Sequence, residues 1–281
     1  MSGIRDRFLY GTLLLLGVLG LLWADQHFGV TAGFLALSLL FALVSWVEFR
    51  RMFGGRVAAF AWVGAGVIAT GLIGEWAFNE GHFPGDLRVA FVTALGVSAP
   101  LLMLLLSFRT EPNRDRAVEI ALGSFGVLYL AIPLMLFLRL RGQEGGEWWV
   151  MLTVLAIKAN DIGGYLAGRY FGKHKLSRLS PNKTIEGSIG GLLLGTVAVI
   201  GVYAACLSES STLPIGKLVA LALGVGVAGQ AGDLIESFFK RAFSVKDSGA
   251  LVPAFGGTLD MIDSVLLGAP AVYLCRSLLE L

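Results

Sequence analysis

Apolar residues fall along this chain in long blocks, each close to the length of a membrane-crossing helix. Nine blocks run approximately 7–24, 30–49, 57–77, 88–107, 117–138, 148–170, 185–206, 215–239 and 258–279. Crossing the hydrocarbon of a bilayer takes about 20 apolar residues in helical form. The polar stretches between blocks are short, and neither a long soluble insert nor an internal repeat interrupts the pattern. The pattern predicts an all-α polytopic membrane protein with about nine transmembrane helices. The first block follows Arg5 and Arg7 and has the look of a signal peptide. No clear small-x-small cleavage site follows it, and similar blocks come after, so it reads as a retained first span.

Composition agrees. Hydrophobic residues make up 56% of the 281 and charged residues 15%, against about 25% charged in a soluble domain. The net charge of +2 carries no footprint for nucleic acid. The placement of charge says more than its sum. Sixteen of the 22 Lys and Arg residues fall at the N-terminus or after the second, fourth, sixth and eighth blocks. Lys and Arg mark cytoplasmic loops, so the N-terminus and these loops are expected in the cytoplasm. Cys206 and Cys275 have no metal-ligand spacing and sit in apolar segments, where free cysteine behaves as a small hydrophobe.

The acids inside the blocks are the costly residues. A carboxylate at a bilayer centre costs roughly 2.5–3.5 kcal/mol on insertion scales, so those retained are expected to work. Asp161 lies eight residues before Arg169, about 12 Å of helix rise. Asp233 lies seven before Lys240, and Asp260 and Asp263 fall in the first turns of the last block. With the orientation above, four carboxylates from three blocks converge on the cytoplasmic half of the membrane. Asp260 and Asp263 are three apart and share a helix face; two adjacent carboxylates repel unless a cation lies between them. Mg²⁺ suits that position, because it takes oxygen ligands and keeps phosphates in its shell. The bland alternative is a cap or a lysine pair at Asp263.

Asp233, Ser237 and Lys240 form one helical stripe with Glu236 beside it, and Arg241 reads equally as an interfacial anchor. Lys158, Asp161 and Tyr165 share another face, where Lys158 and Asp161 could be a purely structural pair. After the sixth block comes a basic loop. Ser180 reads as an N-cap with Pro181 at the first helical position, a helix start that, with Lys183, attracts phosphate. His174 in this loop reads as solvated. Gly187, Gly191 and Gly195, and the glycines from Gly224 to Gly232, read as close helix packing, with room for a homodimer contact. The chain is expected to divide into N-terminal scaffold helices, 1–145, and a catalytic half, 146–281.

One long combined motif then stands out. Ser237-Phe-Phe-Lys240-Arg241, Lys246-Asp247-Ser248-Gly249 and Pro253-Ala-Phe-Gly256-Gly257-Thr-Leu-Asp260-Met-Ile-Asp263 resemble the signature of phosphatidate cytidylyltransferases, also called CDP-diacylglycerol synthases. The family pattern runs S-x-x-K-R, K-D-S-G, then P-G-H-G-G-x-x-D-R-x-D. Asn160-Asp161, Gly164-Tyr165, Phe171-Gly-Lys-His-Lys175, Ser180-Pro-Asn-Lys183-Thr184-Ile-Glu186-Gly187 and Gly232-Asp233-Leu-Ile-Glu236-Ser237 are also similar to family motifs. The match covers roughly residues 150–265. Two positions depart: Phe255 stands where the family has His, and Met261 where it has Arg.

The resemblance implies transfer of CMP from CTP to phosphatidic acid at the cytoplasmic face of the cell membrane. It implies Mg²⁺ on Asp233, Asp260 and Asp263, with room for a second cation. Asp233, Lys240, Asp260 and Asp263 would carry the chemistry. Lys183, Lys240 and Lys246 would hold triphosphate or lipid phosphate, and Ser237, Arg241, Gly256 and Gly257 would line the substrates. Asp161 would support metal or nucleotide. The departures at Phe255 and Met261 keep open the same transfer to a different lipid phosphate. An ion-coupled transporter is the reading from another class, but it predicts acids spread across the membrane depth. A CDP-alcohol phosphotransferase would need its G-x-x-x-D-x-x-x-D run, which this sequence lacks.

The orientation has a direct test. Single cysteines in the loops after the second, fourth, sixth and eighth blocks should resist a membrane-impermeant thiol reagent in intact cells and react after permeabilisation.

Overall fold

The computed structural model describes residues 17, 20, 21, 23–25, 27, 31–53, 60–108, 110–206, 213–249 and 256–279. Eight helices follow one another: α1 Ala32–Met52, α2 Ala61–Asn79, α3 Leu87–Ser107, α4 Arg114–Arg141, α5 Gly146–Phe171, α6 Ile185–Cys206, α7 Ile215–Ala242 and α8 Thr258–Leu278. All eight are long and apolar enough to cross a membrane. They coincide with eight of the nine apolar blocks, which makes the chain a multi-pass membrane protein. Most of the first block lies outside the described residues, as do Arg5, Arg7, Arg56, Arg109 and Phe255. Helices are the expected solution, since a spanning segment must satisfy its own backbone polar groups. The least buried is α3, with 17% of its apolar window inside the protein. Its outward Leu101, Leu105 and Leu106 suit contact with lipid.

The helices form two compact units. One contains the described residues up to Glu144 together with those of Phe243–Ile262; the other contains Gly145–Ala242 and Asp263–Leu281. Within the first unit, Phe243 packs on Phe53 and the amide of Leu259 donates to Glu48, both partners from the N-terminal helices.

In the first unit α1, α2, α3 and α4 pack on one another, with α4 touching each of the other three. The core is aromatic. Trp46, Phe49 and Phe53 of α1 and its C-terminal turn are almost fully buried, and Phe53 meets Phe243 edge-on at 4.2 Å. The Trp46 indole donates to the carbonyl of Ala61 at 2.9 Å, which satisfies its one polar atom. Asp25 accepts from the amides of Gly33 (3.0 Å) and Phe34 (2.8 Å), capping α1 with an anion at the positive helix end.

The second unit is built on α5 against α6, with α7 on both. The α5–α6 approach is backbone to backbone. A Cβ on Gly163 would fall 2.7 Å from the carbonyl of Gly190, and one on Gly191 would fall 2.6 Å from the carbonyl of Asn160. The glycines at 187, 191 and 195 therefore face α5 rather than a second copy of the chain. Close approach through small residues is a principal way membrane helices gain contact, since lipid supplies no hydrophobic drive between them. Arg276 near the end of α8 lies over the Trp149 ring of α5 at 4.9 Å. Both cysteines are free thiols.

The helix start after the basic loop lies later than the sequence suggests. Ser180 and Pro181 belong to a turn, in which the amide of Lys183 donates to the carbonyl of Ser180 at 3.0 Å. The helix starts at Ile185, and Thr184 caps it by accepting from the amide of Gly187 at 3.1 Å. Proline at the second position of a tight turn is as favourable as proline at a helix start, and here the turn prevails.

Gly191→Ala should lower stability by about 1–3 kcal/mol, read from unfolding in detergent. Gly201→Ala, also on α6 but with nothing within 4 Å of the added Cβ, should be neutral or stabilising by up to ~1 kcal/mol.

Candidate active site

Three helices of the second unit bring their acids together. Asp161 of α5 interacts electrostatically with Lys158, Asp233 and Lys183. Asp263 of α8 interacts with Asp233, Lys158 and Asp161. Lys158 pairs with Asp161 at 3.6 Å, and Lys183, from the loop before α6, pairs directly with Asp233 of α7. Ser237, one turn along α7, donates to Asp233 at 3.3 Å. Asp263 is buried. Its place is set by Gly232, where a Cβ would fall 2.4 Å from the Asp263 carbonyl. The structure thus unites Asp161, Asp233, Asp263, Lys183 and Ser237, and adds Lys158.

Lys240 takes a different partner within the expected stripe. It pairs with Glu236 at 2.6 Å, and Glu236 is 1% exposed. The ammonium answers a buried acid one turn back, a placement that membrane burial favours. Arg241 is exposed on α7, and Lys246 is exposed within the first unit.

The basic loop is tied down by its own acid. Glu186 accepts from the amides of Lys173 (3.1 Å) and His174 (3.2 Å) and meets the His174 ring at 2.6 Å. His174 is exposed, as expected, and within that exposed position it meets Glu186 at the loop. The pairing of Lys175 with Thr184 closes the loop beneath Lys183 and brings that ammonium to Asp233.

The described signature residues 246–249 and 256–260 belong to the first unit, and several of them meet at Asp260. Its Oδ2 accepts from the amide of Ser248 (3.0 Å), the hydroxyl of Ser248 (2.8 Å) and the amide of Gly257 (2.8 Å). Gly256 holds φ at +89°, a conformation that favours glycine. A Cβ on Gly257 would fall 2.2 Å from the Ser248 hydroxyl. Both glycines let the chain close about the carboxylate in the first turn of α8. Asp260 and Asp263 remain one turn apart on that helix.

Two polar features escaped the sequence reading. Gln230 on α7 donates to the Asn160 side chain and to the carbonyl of Ser188, both at 3.0 Å, and accepts from the Ser188 hydroxyl. It ties α5, α6 and α7 together one residue from Asp161. Glu48 of α1, 4% exposed, accepts from the amide of Leu259 at 2.8 Å. Glu48 was visible as the only charged residue of its apolar block, and Gln230 as a polar residue one turn before Asp233.

Asp233 and Asp263 offer carboxylate oxygens, the donor type a hard cation takes, with Asp233 now paired to the Lys183 ammonium. Among the described residues no three His, Cys, Asp or Glu side chains gather as a metal-binding group. Mg²⁺ is usually held by one or two carboxylates together with waters and substrate phosphates, so this set fits Mg²⁺ as a partner of a phosphate substrate.

Gln230→Leu should cost about 1–3 kcal/mol by leaving Asn160 and Ser188 without their partner, measured by unfolding in detergent. Gln230→Glu, which keeps acceptors but loses the amide donor, should fall between that variant and the parent.

The model of the cytidylyltransferase family matches residues 5–279. A phosphatidate cytidylyltransferase of Staphylococcus saprophyticus is 30% identical over 85% of this chain and 88% of its own length. Two further proteins of that name, from Staphylococcus haemolyticus and Staphylococcus aureus, are 38% and 36% identical, each over 59% of this chain and 63% of its own length. The family model takes in every helix described above, from the scaffold helices to the acids of α5, α7 and α8, and on that match the chain belongs to the cytidylyltransferase family.

Proposed function

We propose that the protein transfers CMP from CTP to phosphatidic acid, giving CDP-diacylglycerol and pyrophosphate at the cytoplasmic edge of the cell membrane. One observation carries the reading beyond the family itself. Asp161, Asp233 and Asp263, from three apolar helices, lie within electrostatic reach of one another and of Lys158 and Lys183. That mixture of fixed anions and cations is suited to a metal and a polyphosphate. The names of the relatives supply the substrate.

The chemistry asks little of a general base. A phosphate oxygen of phosphatidic acid attacks the α-phosphorus of CTP, a P–O bond forms, and the α–β anhydride bond breaks as pyrophosphate departs. Catalysis then rests on positioning and charge neutralisation. Lys183, now paired with Asp233, would supply positive charge to the triphosphate. Lys246, exposed in the signature segment, would meet phosphate from the water side. Lys240, held by Glu236, would add positive charge from the end of α7. Mg²⁺ on Asp233 and Asp263, with Asp260 one turn away, would neutralise charge on the phosphates. Asp161 would keep Lys158 and Lys183 in place. CTP would arrive from water and the lipid from the bilayer, with its phosphate at headgroup level.

The purified protein given labelled CTP, Mg²⁺ and phosphatidate should release pyrophosphate. Absence of release, or strong preference for a lipid phosphate without two acyl chains, would overturn the reading. Asp263→Asn and Asp260→Asn should each lower turnover by at least about 100-fold in protein that still inserts. Retained turnover in both would refute the metal site. Chelation of Mg²⁺ should abolish release, and added Mg²⁺ should restore it.

A further inference from the structure

We infer that Glu48, on a scaffold helix far from the signature in sequence, is a positioning residue for the loop that sets Asp260. The inference rests on the proposed transfer reaction, in which Asp260 is part of the site. Glu48 lies in the apolar block of α1, where an acid is costly. Its Oε2 accepts from the amide of Leu259 at 2.8 Å. That amide belongs to the first turn of α8, whose N-terminal N–H groups have no partner within the helix. A carboxylate there also meets the positive end of the helix dipole.

The loop is shaped to admit this carboxylate. A Cβ on Gly249 would fall 2.2 Å from Oε1 of Glu48, and one on Gly257 would fall 2.7 Å from Oε2. Two signature glycines therefore leave space that a side chain from another helix fills. Ser248 and Gly257 in turn donate to Asp260. Glu48 and Asp260 thus hold neighbouring backbone amides: Glu48 takes that of Leu259, and Asp260 takes those of Ser248 and Gly257. Phe53 against Phe243 anchors the start of the segment to the end of α1. Removing the Glu48 acceptor releases the first turn of α8 and with it the bearing of Asp260.

The experiment compares the parent protein with Glu48→Ala, Glu48→Gln and Glu48→Asp in detergent. It reads pyrophosphate release from CTP and phosphatidate alongside amide hydrogen exchange. Glu48→Ala should lower kcat roughly 10–100-fold, as expected for misplaced reacting groups, with KM for CTP within about threefold. Exchange should rise in peptides covering 244–249 and 256–262 and stay level elsewhere. Glu48→Gln keeps an acceptor in reach and should recover kcat to within about fivefold of the parent and restore the protection. If Glu48→Ala does not fold, Glu48→Asp, whose shorter arm withdraws the acceptor, must show the same kcat loss and local exchange. Native kcat in Glu48→Ala or Glu48→Asp overturns the inference, as does Glu48→Gln being as impaired as Glu48→Ala. A parent protein that releases no pyrophosphate counts against the reaction, while the exchange data still judge the tie between Glu48 and α8.

Discussion

A charge carried into hydrocarbon must be met by another charge or by the end of a helix, and the polar interior of this protein is organised around that requirement. Asp233 has Lys183, Asp161 has Lys158, Glu236 has Lys240, and Glu48 has the first turn of α8. Two of these matches, Lys183 with Asp233 and Glu48 with the first turn of α8, fix the relation between segments that the apolar surface alone would leave free to slide; the other two act along a single helix. The same matches hold the reactive groups ready, because each lysine poised against an acid is a cation that phosphate could claim.

The two units use different means to reach this result. In the second, glycines let α5, α6 and α7 approach until carbonyls nearly touch the facing helix, and Gln230 locks the three with Asn160 and Ser188. Polar residues can then meet across short distances without water. In the first, bulky aromatic rings fill the space between helices, and a single carboxylate reaches from α1 to the signature loop. Glu48 caps the first turn of α8 within the first unit, and Asp263 and the residues after it belong to the second. Asp260 and Asp263, one turn apart, lie on either side of that division.

Much of this was readable in the chain. Eight of the nine apolar blocks correspond to helices within a few residues, since a membrane-crossing length with no alternative for the backbone leaves little choice. Asp161, Asp233 and Asp263 were visible as acids too expensive to be incidental. The apolar block starts where α6 does, at 185, but Ser180-Pro181 reads equally as a helix cap or a turn, and the hydrogen bond from Lys183 to Ser180 shows the turn. The partner of Lys240 was ambiguous for a similar reason: Glu236 and Asp233 both lie within reach on α7, and burial of Glu236 settles the choice.

The sequence by itself determined the all-helical membrane architecture, the acids carried inside its apolar helices and the family, because hydrophobic length, burial cost and ordered motifs are local properties of the chain. Tertiary structure decided which cation answers which acid and what the signature glycines are for. Gly249 and Gly257 make room for Glu48, a residue some 200 positions earlier, and no spacing within the signature could reveal that. Side-chain pairing across helices depends on rotation and depth, and these are set by the packing of one helix on another.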